Sequence, residues 1–313
     1  MLTLLSTNIN FPNLGIELKN VGTGFEVFGY RIAYYGMVIG FGMLCGWLVA
    51  EWMAKRTGQK TEIYLDFALV AIVSAVIGAR VYYVVFALDE FADNPFSVFN
   101  LRTGGLAIYG GVIAGLISAI IYARIKKYSF WLLVDTACVG LVTGQIIGRW
   151  GNFFNREAFG KYYDGLFAMQ VNVLDASGVY RNTTSVSRLE ELYQGKEKAL
   201  ERILEIRNKA VTIGDATYIQ VHPTFLYESL WNLCLLILLI AYTKHKKFDG
   251  EIVLLYLIGY GLGRVWMEGL RTDQLFFWGT PFAVSQLLSA FLVIASVALM
   301  IYKRRKAKFR TRR

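Results

Sequence analysis

Five ionisable side chains interrupt stretches of sequence that are otherwise apolar: Arg80, Arg149, Arg264, Glu228 and Glu268. A charge inside a membrane-crossing segment is costly, so each of them calls for a reason. Arginine presents a planar fork of donors that matches a phosphate, and it stays charged at any relevant pH. Tyr34, Tyr35 and Tyr109 stand near the starts of their own apolar stretches, and His222 lies shortly before Glu228. Three arginines and two carboxylates at one depth would imply a wet cavity suited to an anionic phospholipid. Any single arginine can instead snorkel to the interface, but Arg80 and Arg264 have little chance of reaching water without a cavity. Residue type and position leave open whether the lipid is a substrate, a regulator or a structural ligand.

The elements that must position these groups are membrane helices. Of the 313 residues 55 % are apolar and 18 % charged, against roughly 45–50 % and about 25 % in soluble proteins, and the mean hydropathy is +0.42. A helix needs about 20 apolar residues to cross about 30 Å of hydrocarbon. Seven stretches qualify: Tyr30–Met53, Tyr64–Leu88, Leu106–Ile125, Phe130–Trp150, Thr224–Thr243, Glu251–Gly269 and Phe282–Tyr302. The spacing predicts an all-α membrane protein of seven transmembrane helices, built as one polytopic domain over 1–313. Lys55, Arg56, Lys60, Arg124, Lys126, Lys127, Lys244, Lys246 and Lys247 fall in alternate loops, on the same side as the C-terminal tail. The positive-inside rule makes that side cytoplasmic and puts the N-terminus outside. Glu51, Asp66 and Asp135 then lie toward cytoplasmic helix ends, where a structural role is the better reading.

The net charge of +10 does not point to nucleic acid, because eight of the cations lie in the basic tail 303–313 and most others in short loops. Such charge orients the chain and meets anionic lipid. Met1–Leu14 lack the pattern of a cleavable signal peptide, so targeting is expected from the first membrane helix. Cys45, Cys138 and Cys234 are scattered through apolar stretches and give neither a disulfide framework nor metal spacing. One loop is long. Residues 151–222 form an external head, with a strand over Phe167–Val173, a turn at Asp175–Gly178 and a charged helix over Ser187–Ala210.

The segment Gly148-Arg-Trp-Gly-Asn-Phe-Phe-Asn-Arg-Glu-Ala-Phe-Gly160 resembles the signature of the phosphatidylglycerol–prolipoprotein diacylglyceryl transferases of bacteria. Tyr34-Tyr35-Gly36, the glycines from Gly104 through Gly111, His222-Pro223-Thr224 through Glu228, and Gly263-Arg264 through Arg271 and Asp273 resemble that family's other motifs, in its order. The resemblance runs from about residue 28 to residue 302. It implies a multi-pass protein of the cytoplasmic (inner) membrane with a small periplasmic head and an active site toward the external side. It also implies transfer of diacylglyceryl from phosphatidylglycerol to the lipobox cysteine of a prolipoprotein signal peptide, without a cofactor or metal. By resemblance Arg149 and Arg264, with Tyr35 and Tyr109, are the catalytic candidates. Arg149, Asn152, Glu157, Gly160, Arg80, Arg264 and Glu268 are the lipid-binding candidates, and His222, Glu228 and Arg271 the supporting ones. Many relatives carry histidine where this chain has Tyr109, which speaks against a universal histidine base. The competing function is a transporter or flippase of anionic phospholipid. It predicts charge near the midplane and a pathway to both faces.

Overall fold

The computed structural model describes residues 8–101, 104–176, 186–194, 197–272, 274, 276 and 282–310. The membrane part consists of α1 (Tyr34–Arg56), α2 (Glu62–Phe86), α3 (Ile108–Ile125), α4 (Phe130–Asn155), α7 (Thr224–Tyr242), α8 (Glu251–Glu268) and α9 (Val284–Arg310). Six of these, all but α8, are long and apolar enough to cross a membrane. The exception matches α3 in length at 18 residues but carries Glu251, Arg264 and Glu268. The protein is therefore mostly helical, with six candidate spans, and α8 is the helix whose charges set it apart.

Close backbone approach holds the centre together. Gly46 of α1 faces Gly140 of α4, where a Cβ on Gly46 would stand 2.6 Å from the Gly140 carbonyl oxygen, so only the smallest residue permits this crossing. Contacts along α4, α7 and α8 set their directions. Arg149 of α4 and Arg264 of α8 both meet Glu228 at the start of α7. Trp231 Nε1 donates to the Gly259 carbonyl, and Tyr242 at the far end of α7 reaches Glu251 at the start of α8. Helix α7 is thus antiparallel to α4 and α8. Asp135, 3 % exposed, belongs to the structural class expected of it. It accepts hydrogen bonds from Gly250 N (2.8 Å) and Val253 N (2.9 Å), and so caps α8 from a neighbouring helix.

The head is not helical throughout, which corrects the all-α reading. Strands β1 (Ile9–Phe11), β2 (Ile16–Leu18), β5 (Met169–Asn172), β6 (Val211–Ile213) and β7 (Ala216–Val221) form an antiparallel sheet in the order β2-β1-β5-β7-β6. A hairpin of β3 (Gly24–Val27) and β4 (Tyr30–Ala33) precedes α1. The first span accordingly starts at Tyr34 rather than Tyr30, because Tyr30–Ala33 pairs with β3. The charged stretch divides into α5 (Val186–Leu192) and α6 (Glu197–Asn208), and part of the expected turn at Asp175–Gly178 lies outside the described residues. The N-terminal strands could not be expected from three-residue runs. They form because Ile9, Val171, Ile219 and Val221 bury their side chains against Leu189, Ile203 and Ile206. The same cluster contains Phe153 of α4 and Phe225 of α7, so the head core is continuous with two helix ends. At the other end α9 continues as helix to Arg310, past the expected boundary at Tyr302. There Lys303 Nζ lies 3.3 Å from the Trp131 ring centroid and Arg304 Nε lies 2.6 Å from Glu251.

Candidate active site

Helix α4 ends where the signature begins to bend. Arg156 takes the left-handed conformation (φ 51°) and ends the helix, and Ala158 follows with φ 57°. The chain then laces three segments together. Gly160 N donates to the His222 carbonyl, His222 N to the Lys161 carbonyl, and Lys161 N to the Leu270 carbonyl. Thr224 Oγ1 donates to the Ala158 carbonyl, and Thr272 Oγ1 to that of Phe159 at 3.3 Å. A Cβ on Gly160 would stand 2.7 Å from His222 Cβ and 3.1 Å from the Leu270 oxygen. Glycine is required here for the strand-like segments to touch.

This lacing brings Arg271 to the ends of α4, α7 and α8. Glu228 Oε2 stands 2.8 Å from Arg149 Nη2 and 3.6 Å from Arg264 Nη1, while its Oε1 stands 3.6 Å from Arg271 Nη1. Arg264 Nη2 lies 2.9 Å from Glu268 Oε2, one turn along α8. Three guanidinium groups against two carboxylates leave one net positive charge (3 − 2 = +1) in a largely buried cluster. Arg264 Nη1 is buried and has no hydrogen-bond partner among the described residues. An unmatched donor in a cationic, partly desolvated cluster is what an incoming phosphate needs.

Around this cluster, Asn152 Nδ2 donates to Glu157 Oε1 at 3.0 Å. The Tyr35 ring packs on Gly151, where a Cβ would lie 2.8 Å from it, and the charges of Glu157 and Arg149 both bear on the Tyr35 hydroxyl. His222 stacks on Tyr163 with ring centroids 3.9 Å apart, and its Nδ1 lies 3.3 Å from the Tyr227 hydroxyl. Burial, aided by the charge of Lys161, lowers the His222 pKa to about 4, so the ring is neutral near pH 7.

Two candidates are not bonded into the cluster. Arg80 is 7 % exposed, and its guanidinium donates to the carbonyls of Ser97, Val98, Asn100, Gly104 and Gly105. It anchors the loop between α2 and α3, and no ion pair joins it to Glu228 or Glu268. The third arginine of the cluster is Arg271, not Arg80, because the bend after α8 swings Arg271 back over α7. Tyr109 is half-buried at the start of α3, and no hydrogen bond or ion pair joins it to the cluster among the described residues. Asp273 lies outside the described residues.

Sequence reasoning passed over a second polar layer. Gln145, four residues before Arg149, donates to the Tyr256 hydroxyl at 2.9 Å, and its Oε1 is buried without a partner. Asn232, four residues after Glu228, is 2 % exposed. A narrow cleft between α7 and α8 is lined by Glu228, Trp231, Asn232, Tyr260, Gly263 and Arg264. The available signal was the four-residue spacing of amides from charges on two different helices.

Comparison with known proteins shows the family. Residues 23–302 match the family model described as prolipoprotein diacylglyceryl transferase. Proteins named phosphatidylglycerol–prolipoprotein diacylglyceryl transferase are similar along nearly the whole chain. That of Oceanobacillus iheyensis is 35 % identical over 281 residues, covering 90 % of this chain and 87 % of its own length. That of Clostridioides difficile strain 630 is 35 % identical over 284 residues, covering 91 % and 96 %. The match runs through the laced segments and all three clustered arginines, and the chain belongs to the prolipoprotein diacylglyceryl transferase family.

Proposed function

We propose that this membrane protein transfers the diacylglyceryl group of phosphatidylglycerol to the thiol of the lipobox cysteine in a prolipoprotein signal peptide. The observation that carries this reading is the convergence of Arg149, Arg264 and Arg271 on Glu228 in a member of this family. The sulfur attacks the glyceryl carbon that bears the phosphate. A carbon–sulfur bond forms, the carbon–oxygen bond breaks, its electron pair stays on the phosphate oxygen, and glycerol phosphate leaves. Arg149 and Arg264 hold the phosphate and stabilise the charge it gains. Asn152 and Glu157 meet the head-group hydroxyls, and Tyr35 completes that polar wall. A free thiol has a pKa of about 8.5, lowered by nearby cations, so the guanidinium cluster itself favours loss of the thiol proton to solvent before the thiolate attacks. Tyr109 orients substrate instead of acting as the base. Arg271, Glu268, His222 and Glu228 set the geometry, with Gly160 at the crossing.

In this reading α8 is a seventh span that faces the interior, its charges paired within the bundle. By the positive-inside rule the basic loops support a C-terminus in the cytoplasm of a bacterium and a head on the outer side of the inner membrane. The test is reconstitution with phosphatidylglycerol and a lipobox peptide. Thioether product and equimolar glycerol phosphate are expected, with loss of both in Arg149→Ala and Arg264→Ala. Movement of lipid between leaflets without thioether would overturn the reading in favour of a flippase.

A further inference from the structure

The polar layer one turn from the arginines has no evident structural duty. On α4, α7 and α8, residues four positions from Arg149, Glu228 and Arg264 are Gln145, Asn232 and Tyr260. Because α7 is antiparallel to the other two, all three steps lead away from the charges in the same direction, by about 6 Å. Gln145 bonds Tyr256, which stacks on Tyr260 with centroids 5.6 Å apart. Below them lies an apolar plug of Val142, Leu235, Leu239 and Ile252. Asn232 is the exception within the layer. It is 98 % buried (2 % exposed), lines the cleft beside Arg264, and makes no hydrogen bond among the described residues. Its amide lines the cleft with its hydrogen-bonding groups unused by the protein, and a buried amide is stable when a partner takes them up.

We infer that Asn232, with the Gln145–Tyr256 pair beside it, is a subsite for the ester carbonyls of a diacyl phospholipid. The chemistry follows from depth. With the phosphate on the arginines, the glyceryl carbons descend along the cleft and the esters hang directly beneath. An ester carbonyl only accepts hydrogen bonds, and the Asn232 amide N–H groups are donors. The Gln145 amide serves in its flipped orientation, in which Tyr256 donates to its oxygen and its N–H groups take the place of the unpartnered Oε1. The inference rests on the lipid-binding part of the proposed function. It adds that the protein reads the linkage between glycerol and acyl chain as well as the head group. The esters pass unchanged into product, so this contact acts equally on ground and transition states and sets affinity instead of rate.

The test is a binding measurement without acceptor peptide, which keeps it separate from turnover. The full chain in detergent is titrated with diester phosphatidylglycerol and with its diether analogue, each displacing a fluorescent phosphatidylglycerol. The wild-type protein is expected to bind the diester up to about tenfold more tightly, the worth of a buried hydrogen bond. Asn232→Leu is expected to abolish that preference by weakening the diester alone. Gln145→Met, a milder change, is expected to reduce it. Equal wild-type affinity for diester and diether, or an undiminished preference in folded Asn232→Leu, would overturn the subsite. The wild-type comparison decides the matter even if the leucine variant does not fold. Transferase failure would show separately, as absence of thioether in reconstitution.

Discussion

The Glu228 carboxylate lies 2.8 Å from the Arg149 guanidinium, and the same carboxylate is shared at 3.6 Å with Arg264 and with Arg271. One buried acid in the second turn of α7 thus sets the spacing of three cations carried by α4, by α8 and by the bend after it. It leaves them close enough to act on one phosphate while offsetting part of their mutual repulsion. Removing it would leave three like charges in a poorly hydrated site. Glu228→Gln is expected to lower the unfolding temperature by several degrees, since breaking a buried pair costs about 3–5 kcal/mol. It should also lower kcat/KM at least about tenfold. Differential scanning fluorimetry in detergent and the reconstituted assay check both.

Arg264 Nη1 makes no hydrogen bond and stands 3.6 Å from Glu228, whereas Arg149 is held by Glu228 at hydrogen-bonding distance. Lysine keeps the charge at either position and removes the fork. Arg264→Lys is expected to reduce kcat by about 10²–10³-fold with a smaller change in KM, as for loss of a donor to developing charge. An equal rise in KM at unchanged kcat would assign Arg264 to ground-state binding alone.

Gly160→Ala would press a methyl group onto His222 Cβ and the Leu270 carbonyl. Overpacking of this kind costs about 1–3 kcal/mol, and here it would pry apart the segments that deliver Arg271. Loss of turnover together with a lower unfolding temperature is expected. Gly40→Ala, which meets nothing within 4 Å, should behave as wild type and serves as the control.

His222 gives the head a pH dependence with a definite sign. Its pKa falls from the ordinary 6.5 to about 4 on folding, so the fold favours the neutral ring. Between those values the unfolded chain binds the extra proton. The contribution is therefore complete above about pH 6.5 and is lost as pH falls toward about 4. Thermal unfolding from pH 7 to 4.5 should fall less steeply in His222→Gln than in wild type. Parallel profiles would show that the ring does not titrate as its burial implies.

Arg80 satisfies carbonyls from Ser97 to Gly105, so its loss should act through the loop. Arg80→Lys is expected to lower the unfolding temperature and expose residues 95–105 to protease, with KM for phosphatidylglycerol unchanged. A raised KM at unchanged stability would instead place Arg80 against the lipid.

The sequence by itself determined much of the membrane part. Apolar runs of helical length have few folds open to them once backbone polar groups must pair internally, and six of the expected spans are long, apolar helices. The same constraint made Arg149, Arg264, Glu228 and Glu268 conspicuous, since a charge in an apolar run has to be met by something.

Tertiary structure alone decided which charges meet. Arg80 and Arg264 look alike in sequence, each a lone arginine late in an apolar helix, yet one bonds backbone carbonyls and the other joins the carboxylates. The difference lies in what the adjoining loop brings back: open carbonyls after α2, a third arginine after α8. Strands β1 and β2 were equally hidden, because three residues carry almost no periodic signal until Ile9 finds Val171 across the sheet. The place of the Asn232 amide in the cleft was hidden for the same reason. A polar residue in an apolar helix is visible in sequence, but the cleft it lines exists only once the neighbouring helices are in place.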